Sequence, residues 1–178
     1  SDPLEALRCL GAAARERMEG TVIAVTGSVG KTGTKEALRG ALGRFKPTHA
    51  SAGSLNNHWG VPLSLARLPR NASFAVFEIG MNHAGEIGPL SRLVRPHAAV
   101  ITTVDPVHLE FFGSVADIAD AKAEIFEGLE AGGTAILSRD NMHYERLAAA
   151  ANQAGVTRII GFGESDVADA RLIKASHN

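Results

Sequence analysis

Apolar residues recur along this chain in two registers. Short runs at 21–25, 74–79, 98–104, 134–137 and 158–160 are apolar at successive positions, whereas the stretches 34–42, 61–68, 86–94, 115–129 and 142–154 repeat apolar residues every three or four positions. The first kind predicts strands buried on both faces, the second amphipathic helices, and their alternation predicts an α/β fold. The expected architecture is a mostly parallel, doubly wound sheet with helices on both faces. Asp2-Pro3 followed by Leu4, Leu7, Leu10 and Ala14 predicts a capped entry helix ahead of the first strand. After Gly163 the pattern weakens, and 168–174 predicts one more strand with little sequence left to pair, as though the architecture stopped part-way. No repeat or linker divides the chain, so 1–178 is expected to form one domain.

In such sheets ligands collect beyond the carboxyl ends of the strands, so the residues there carry most weight. The first strand runs into Thr26-Gly27-Ser28-Val29-Gly30-Lys31-Thr32. This is the grammar of a phosphate-binding loop. Glycines let consecutive backbone N–H groups face one anion, the next helix presents its positive end, Lys31 adds a charge, and Thr32 offers a hydroxyl to Mg²⁺. The strict pattern places a glycine five positions before Gly30, where this chain has Val25, so Gly27 makes the loop a shortened variant. The strand at 74–79 delivers Glu78 near its end, where a carboxylate could hold the metal that accompanies a nucleotide.

His108 follows the next strand end, and Lys122 lies fourteen residues later on a predicted helix. Taken singly, His108 reads more simply as a satisfied histidine and Lys122 as a solvated lysine. The polar loop 51–60 contains Asn56 and Asn57, which suit recognition of a polar substrate and suit a turn and helix cap equally well. Asn141, within Ser138-Arg139-Asp140-Asn141, follows another strand and also reads as a cap.

With 45% hydrophobic residues over 178 positions the chain can bury one good core. Lys and Arg number 18 against 19 Asp and Glu, so no net field points to nucleic acid or an anionic membrane. Cys9 is the only cysteine, which excludes an internal disulfide and cysteine metal clusters and suits a reducing compartment. No apolar run reaches the roughly 20 residues of a membrane span, and the start lacks a signal-peptide pattern. A cytoplasmic, monomeric protein is expected.

The combination of Thr26 to Thr32, Leu55-Asn56-Asn57 with Gly60-Val61-Pro62-Leu63, Glu78-Ile79-Gly80-Met81-Asn82, His108-Leu109-Glu110 and Ala121-Lys122-Ala123-Glu124-Ile125-Phe126 resembles the central domain of the Mur ligase family. The resemblance covers nearly the whole chain and is strongest to members that act on a UDP-muramoyl tripeptide. It implies a cell-wall ligase that uses ATP and Mg²⁺ to activate the carboxylate of UDP-N-acetylmuramoyl tripeptide as an acyl phosphate, which D-alanyl-D-alanine then attacks. By the same resemblance Thr32 and Glu78 hold one Mg²⁺, and His108 helps to hold a second. Lys122 matches a lysine that carries a carbamate, Asn56 and Asn57 contact substrate, and Asn141 approaches the adenine. Ser138 stands where the family often has asparagine, which weakens the adenine assignment. The flanking amino- and carboxyl-terminal domains of the family are absent from this sequence, so the chain alone is expected to be inactive. Rival readings are another Mur-type or folylpolyglutamate-type ligase, a phosphate-binding switch or kinase, which would need Glu78 but neither His108 nor Lys122, and a non-ligase P-loop nucleotide-binding module without catalysis.

Overall fold

The computed structural model describes residues 2–107 and 111–175. Seven strands, β1 (Thr21–Thr26), β2 (Thr48–Ala50), β3 (Phe74–Glu78), β4 (Ala98–Ile101), β5 (Thr134–Ser138), β6 (Arg158–Gly163) and β7 (Ala170–Arg171), form one sheet in the order β2-β3-β1-β4-β5-β6-β7. Every pairing is parallel. The helices are α1 (Pro3–Glu16), α2 (Lys31–Leu42), α3 (Gly60–Ala66), α4 (Ile87–Val94), α5 (Val115–Ala123) and α6 (Tyr144–Gln153).

Handedness decides where the helices lie. A crossover between parallel strands is right-handed, so strands added in one direction along the sheet place their helices on one face, and strands added in the other direction use the opposite face. From β1 the chain steps leftward to β2, and every later connection runs rightward. Accordingly α2 packs through Leu38 and Leu42 on the face carrying Ile23, Val25, Val76 and Val100. The other face, with Val22, Ala24, Phe77, Ile101 and Leu137, is covered by α1, α3, α4, α5 and α6. The sheet is therefore covered on both sides, but unequally. Beyond the carboxyl ends of β1 and β4 the chain departs in opposite directions, which opens a crevice.

Several local expectations hold. Asp2 caps α1, its Oδ1 accepting from the N–H of Leu4 at 2.9 Å, with Pro3 in the first turn. The late segment does form a strand, β7, which pairs with β6 and makes the edge of the sheet. Other expectations change for tertiary reasons. The helix expected over 115–129 ends at Ala123 and tightens into a 3-10 turn, Glu124–Gly128. Here the Glu124 carboxylate accepts from the N–H groups of Gly85, Ile87 and Gly88, capping α4, and Ser91 donates its hydroxyl proton to the Ile125 carbonyl. β4 stops at Ile101 instead of reaching Val104, because the next residues turn to hold the loop after β1. β2, three residues that are half-buried at an edge, escapes periodicity altogether.

Leu65 is fully buried where α3 meets α1, and its Cβ lies close to Gly11 of α1. Leu65→Ala is expected to lower the unfolding free energy by about 3 kcal/mol, the usual size for a buried leucine cavity; denaturant titration at constant m-value measures it.

Candidate functional site

The loop after β1 is shaped by its neighbours. The register sets Val25 opposite Glu78, and Val25, wholly buried, still belongs to the ladder, so the position at which a longer loop would need glycine is strand here. Gly27 has φ +147° and Gly30 φ +82°, and a Cβ on Gly27 would run into the Thr102 side chain. Five hydrogen bonds tie the loop to the exit of β4: Ser28 N–H to Thr103 O at 2.9 Å, Ser28 Oγ to Asp105 O at 3.0 Å, Asp105 N–H to Ser28 Oγ at 2.9 Å, Thr102 N–H to Thr26 O at 3.0 Å, and Thr102 Oγ1 to Val29 O at 2.6 Å. The loop is held open at the amino end of α2. That helix has no side-chain cap and no acidic residue in its first turn, which leaves its N–H groups and positive dipole end for an anion.

Lys31 folds back over this opening and donates to Gly27 O at 2.8 Å and Ser28 O at 3.3 Å. Burial lowers its pKa from the ordinary lysine value, partly offset by the charge of Glu78. Glu78, 1% exposed, is the centre of the polar network. Its Oε2 accepts from Thr32 Oγ1 at 2.9 Å, its Oε1 accepts from Asn56 Nδ2 at 2.8 Å, and its backbone N–H donates to Ser51 Oγ at 3.2 Å. A buried lysine completes the cluster. Lys35 Nζ lies 3.8 Å from Glu78 Oε2 and donates to the carbonyls of Ser51 at 2.8 Å and Gly53 at 2.6 Å.

Lys35 escaped the sequence reading, although a signal was present. It shares the 3–4 spacing of Leu38 and Leu42, the stripe of α2 that faces the sheet, and a charged residue on a buried stripe needs a partner. The two asparagines separate in role. Asn56 reaches Glu78, whereas Asn57 Oδ1 accepts from the N–H groups of Trp59 at 3.1 Å and Gly60 at 2.9 Å and so caps α3. Both line a cavity of about 200 Å³, together with Lys31, Gly80, Asn82 and Glu86. On the far side of the loop an apolar groove of about 510 Å³ runs past Val29, Thr103, Ile136 and Phe162.

Lys122, on α5, is 2% exposed. Its pKa falls to about 7, chiefly through burial and then through the nearby charge of Lys31, against an opposing pull from Asp105. The fold thus brings it to the phosphate loop. Asn141 Nδ2 donates to Thr103 Oγ1 and Val104 O, both at 3.0 Å, and its Oδ1 accepts from His143 N–H at 2.9 Å. Its amide links the exits of β5 and β4. Asp140 instead accepts from the N–H groups of Glu164 and Ser165, holding the turn after β6. His108 lies outside the described residues. The donors present fit a hard divalent cation at the loop: one buried carboxylate beside a threonine hydroxyl, at the mouth of an anion site.

The family model for the Mur ligase middle domain matches residues 25–178. The UDP-N-acetylmuramoyl-tripeptide--D-alanyl-D-alanine ligase of Rickettsia prowazekii is 39% identical over 173 residues, 97% of this chain and 38% of that protein. Among solved structures, MurF from Acinetobacter baumannii superposes with a TM-score of 0.87 at 40% identity, covering 93% of this chain and 36% of its own. MurF from Thermotoga maritima, in complex with ADP, gives a TM-score of 0.86 at 28% identity, covering 98% of this chain and 39% of its own. A folylpolyglutamate synthase of Mycobacterium tuberculosis, at 16% identity and a TM-score of 0.72, shares the fold. The chain spans less than two fifths of the length of each relative named MurF or D-alanyl-D-alanine ligase. The loop and the buried glutamate both lie within the matched residues, and the chain belongs to the Mur ligase family, whose middle domain it forms.

Proposed function

We propose that the protein containing this chain is an ATP-dependent ligase that joins D-alanyl-D-alanine to UDP-N-acetylmuramoyl tripeptide. The observation that carries this reading is the convergence of Lys31, Thr32, Glu78 and Asn56 between an anion-binding helix end and a polar cavity. The names of the relatives point the same way.

The reaction transfers the γ-phosphoryl group of ATP to the tripeptide carboxylate, releasing ADP. The amine of D-alanyl-D-alanine then adds to the acyl phosphate, and phosphate leaves as the amide forms. Carboxylate and γ-phosphate repel each other, so the main catalytic task is neutralising charge while holding the groups in line. Lys31 exchanges its contacts with Gly27 and Ser28 for phosphate oxygens, and the N–H groups at the start of α2 take the remaining charge. Thr32 and Glu78 would hold Mg²⁺, which when bound screens the transferring phosphoryl group. His108, by family pattern, would help to hold a second Mg²⁺. Asn56 and Asn57 line the cavity where the acceptor carboxylate approaches, and Asn141 stands at the β5 exit on the nucleotide's path. A switch or kinase has no use for a buried lysine beside Lys31, and Lys122 therefore favours a ligase.

Carbamylation explains that lysine. The neutral amine of Lys122 adds to carbon dioxide and loses a proton, leaving a carbamate whose negative charge faces Lys31. Its lowered pKa supplies the neutral amine at physiological pH.

Three outcomes test this reading. In the full-length protein, ADP release should require both UDP-muramoyl tripeptide and D-alanyl-D-alanine, and Lys31→Ala should reduce turnover by about a hundredfold or more, as for other lost transition-state donors; release with either substrate omitted rejects the assignment. In the metal-free protein, the Lys122 Nζ resonance should titrate near pH 7. Because the folded pKa of about 7 lies below the ordinary 10.5, the unfolded chain holds the extra proton between those values, so this group makes stability rise with pH across that window; a midpoint near the ordinary value contradicts it. Gentle mass spectrometry in bicarbonate should add the mass of one carbon dioxide to wild type and not to Lys122→Ala.

A further inference from the structure

Lys35 is wholly buried, yet none of the steps above uses it. Its ammonium is locked from three sides: the Ser51 and Gly53 carbonyls accept from it, Glu78 Oε2 stands at 3.8 Å, and Glu36 Oε1, at the exposed rim, at 3.3 Å. It thereby joins the phosphate-loop helix, the segment after β2 and the carboxylate at the end of β3. That segment also holds Ser51 Oγ against the Glu78 N–H and leads to Asn56, whose amide occupies the other carboxylate oxygen. Lys35 thus braces the segment that supplies Ser51 and Asn56 to Glu78.

Its charge has a second consequence. Among the described residues, no three histidine, cysteine or acidic side chains gather closely enough to hold a metal ion. Among those residues Glu78 is the carboxylate beside Thr32 Oγ1, and its charge is faced by Lys35 at 3.8 Å, which also meets Glu36 at 3.3 Å, with the Lys31 ammonium nearby. A bare divalent cation gains little at such a site. A cation accompanied by nucleotide phosphates brings a surplus of negative charge, for which the lysines are attractive rather than repulsive. We propose that Lys35 is a positioning residue that seats Glu78 and makes divalent-cation binding conditional on the nucleotide, excluding the free ion. The proposal rests on the reading of Glu78 as a metal ligand.

Mn²⁺ binding to the full-length protein, followed by electron paramagnetic resonance at mildly alkaline pH, tests it. Lys35→Met should tighten binding of Mn²⁺ alone by about tenfold or more, since a doubly charged ion is freed from a neighbouring cation. Binding of the Mn²⁺–ADP complex, which carries a net charge near minus one, should change by less than about threefold or weaken slightly. In the Glu78→Gln background, Lys35→Met should no longer tighten Mn²⁺. Lys35→Gln, which keeps a donor for the Ser51 and Gly53 carbonyls, should reproduce the tightening if Lys35→Met does not fold. Unchanged or weaker binding of Mn²⁺ alone in a folded Lys35 variant overturns the proposal, as does failure of both variants to fold, which would make Lys35 a structural counter-ion. If Glu78→Gln leaves both Mn²⁺ and Mn²⁺–ADP binding unchanged, the metal-ligand reading of Glu78 falls, and this proposal with it; a large loss there beside inert Lys35 variants overturns this proposal alone.

Discussion

A carboxylate withdrawn from water must find donors, and in this domain Glu78 finds them on two separate segments. Thr32 and Lys35 come from α2 and Asn56 from the segment after β2, where Ser51 Oγ also accepts from the Glu78 backbone N–H. The segment after β2 would otherwise be a surface loop, and the start of α2 would have no polar tie to the end of β3. Satisfying one buried charge fixes both of them relative to the end of β3, which is why the anion site, the candidate metal ligands and the polar cavity share a single geometry.

The sheet makes that convergence possible. Parallel pairing brings every strand's carboxyl end to one side, and the register that sets Val25 against Glu78 and Thr26 against Ile101 stacks the phosphate loop between the exits of β3 and β4. Because crossovers are right-handed, the reversal of direction after β1 leaves the crevice there uncovered. The Thr102 side chain then closes on Gly27 so tightly that no other residue fits, and loop conformation follows from strand order as much as from glycine content.

Electrostatics completes the arrangement. Lys31 and Lys122 share a poorly hydrated space, and the cheaper response to two like charges there is for one of them to lose its proton. Lys35, fully buried, is held instead by the Ser51 and Gly53 carbonyls, with Glu78 at 3.8 Å. Three lysines thus stand in three different environments near the start of α2.

The sequence by itself determined the alternation of strands and helices, the phosphate loop, the acid at the end of β3 and the resemblance that ties these to one family. These features are local: periodicity, glycine placement and short motifs are written within a few residues. Only the tertiary structure decided that α2, alone among the described helices, covers its face of the sheet, that the helix from Val115 breaks at Glu124 to cap α4, and that β2 exists. It also decided that Asn56 serves the carboxylate while Asn57 caps a helix, and that a lysine on the apolar stripe of α2 is the partner of Glu78. These outcomes depend on contacts between residues tens of positions apart, where burial turns an ordinary polar side chain into one that must be paired. No spacing along the chain records which partner it will find.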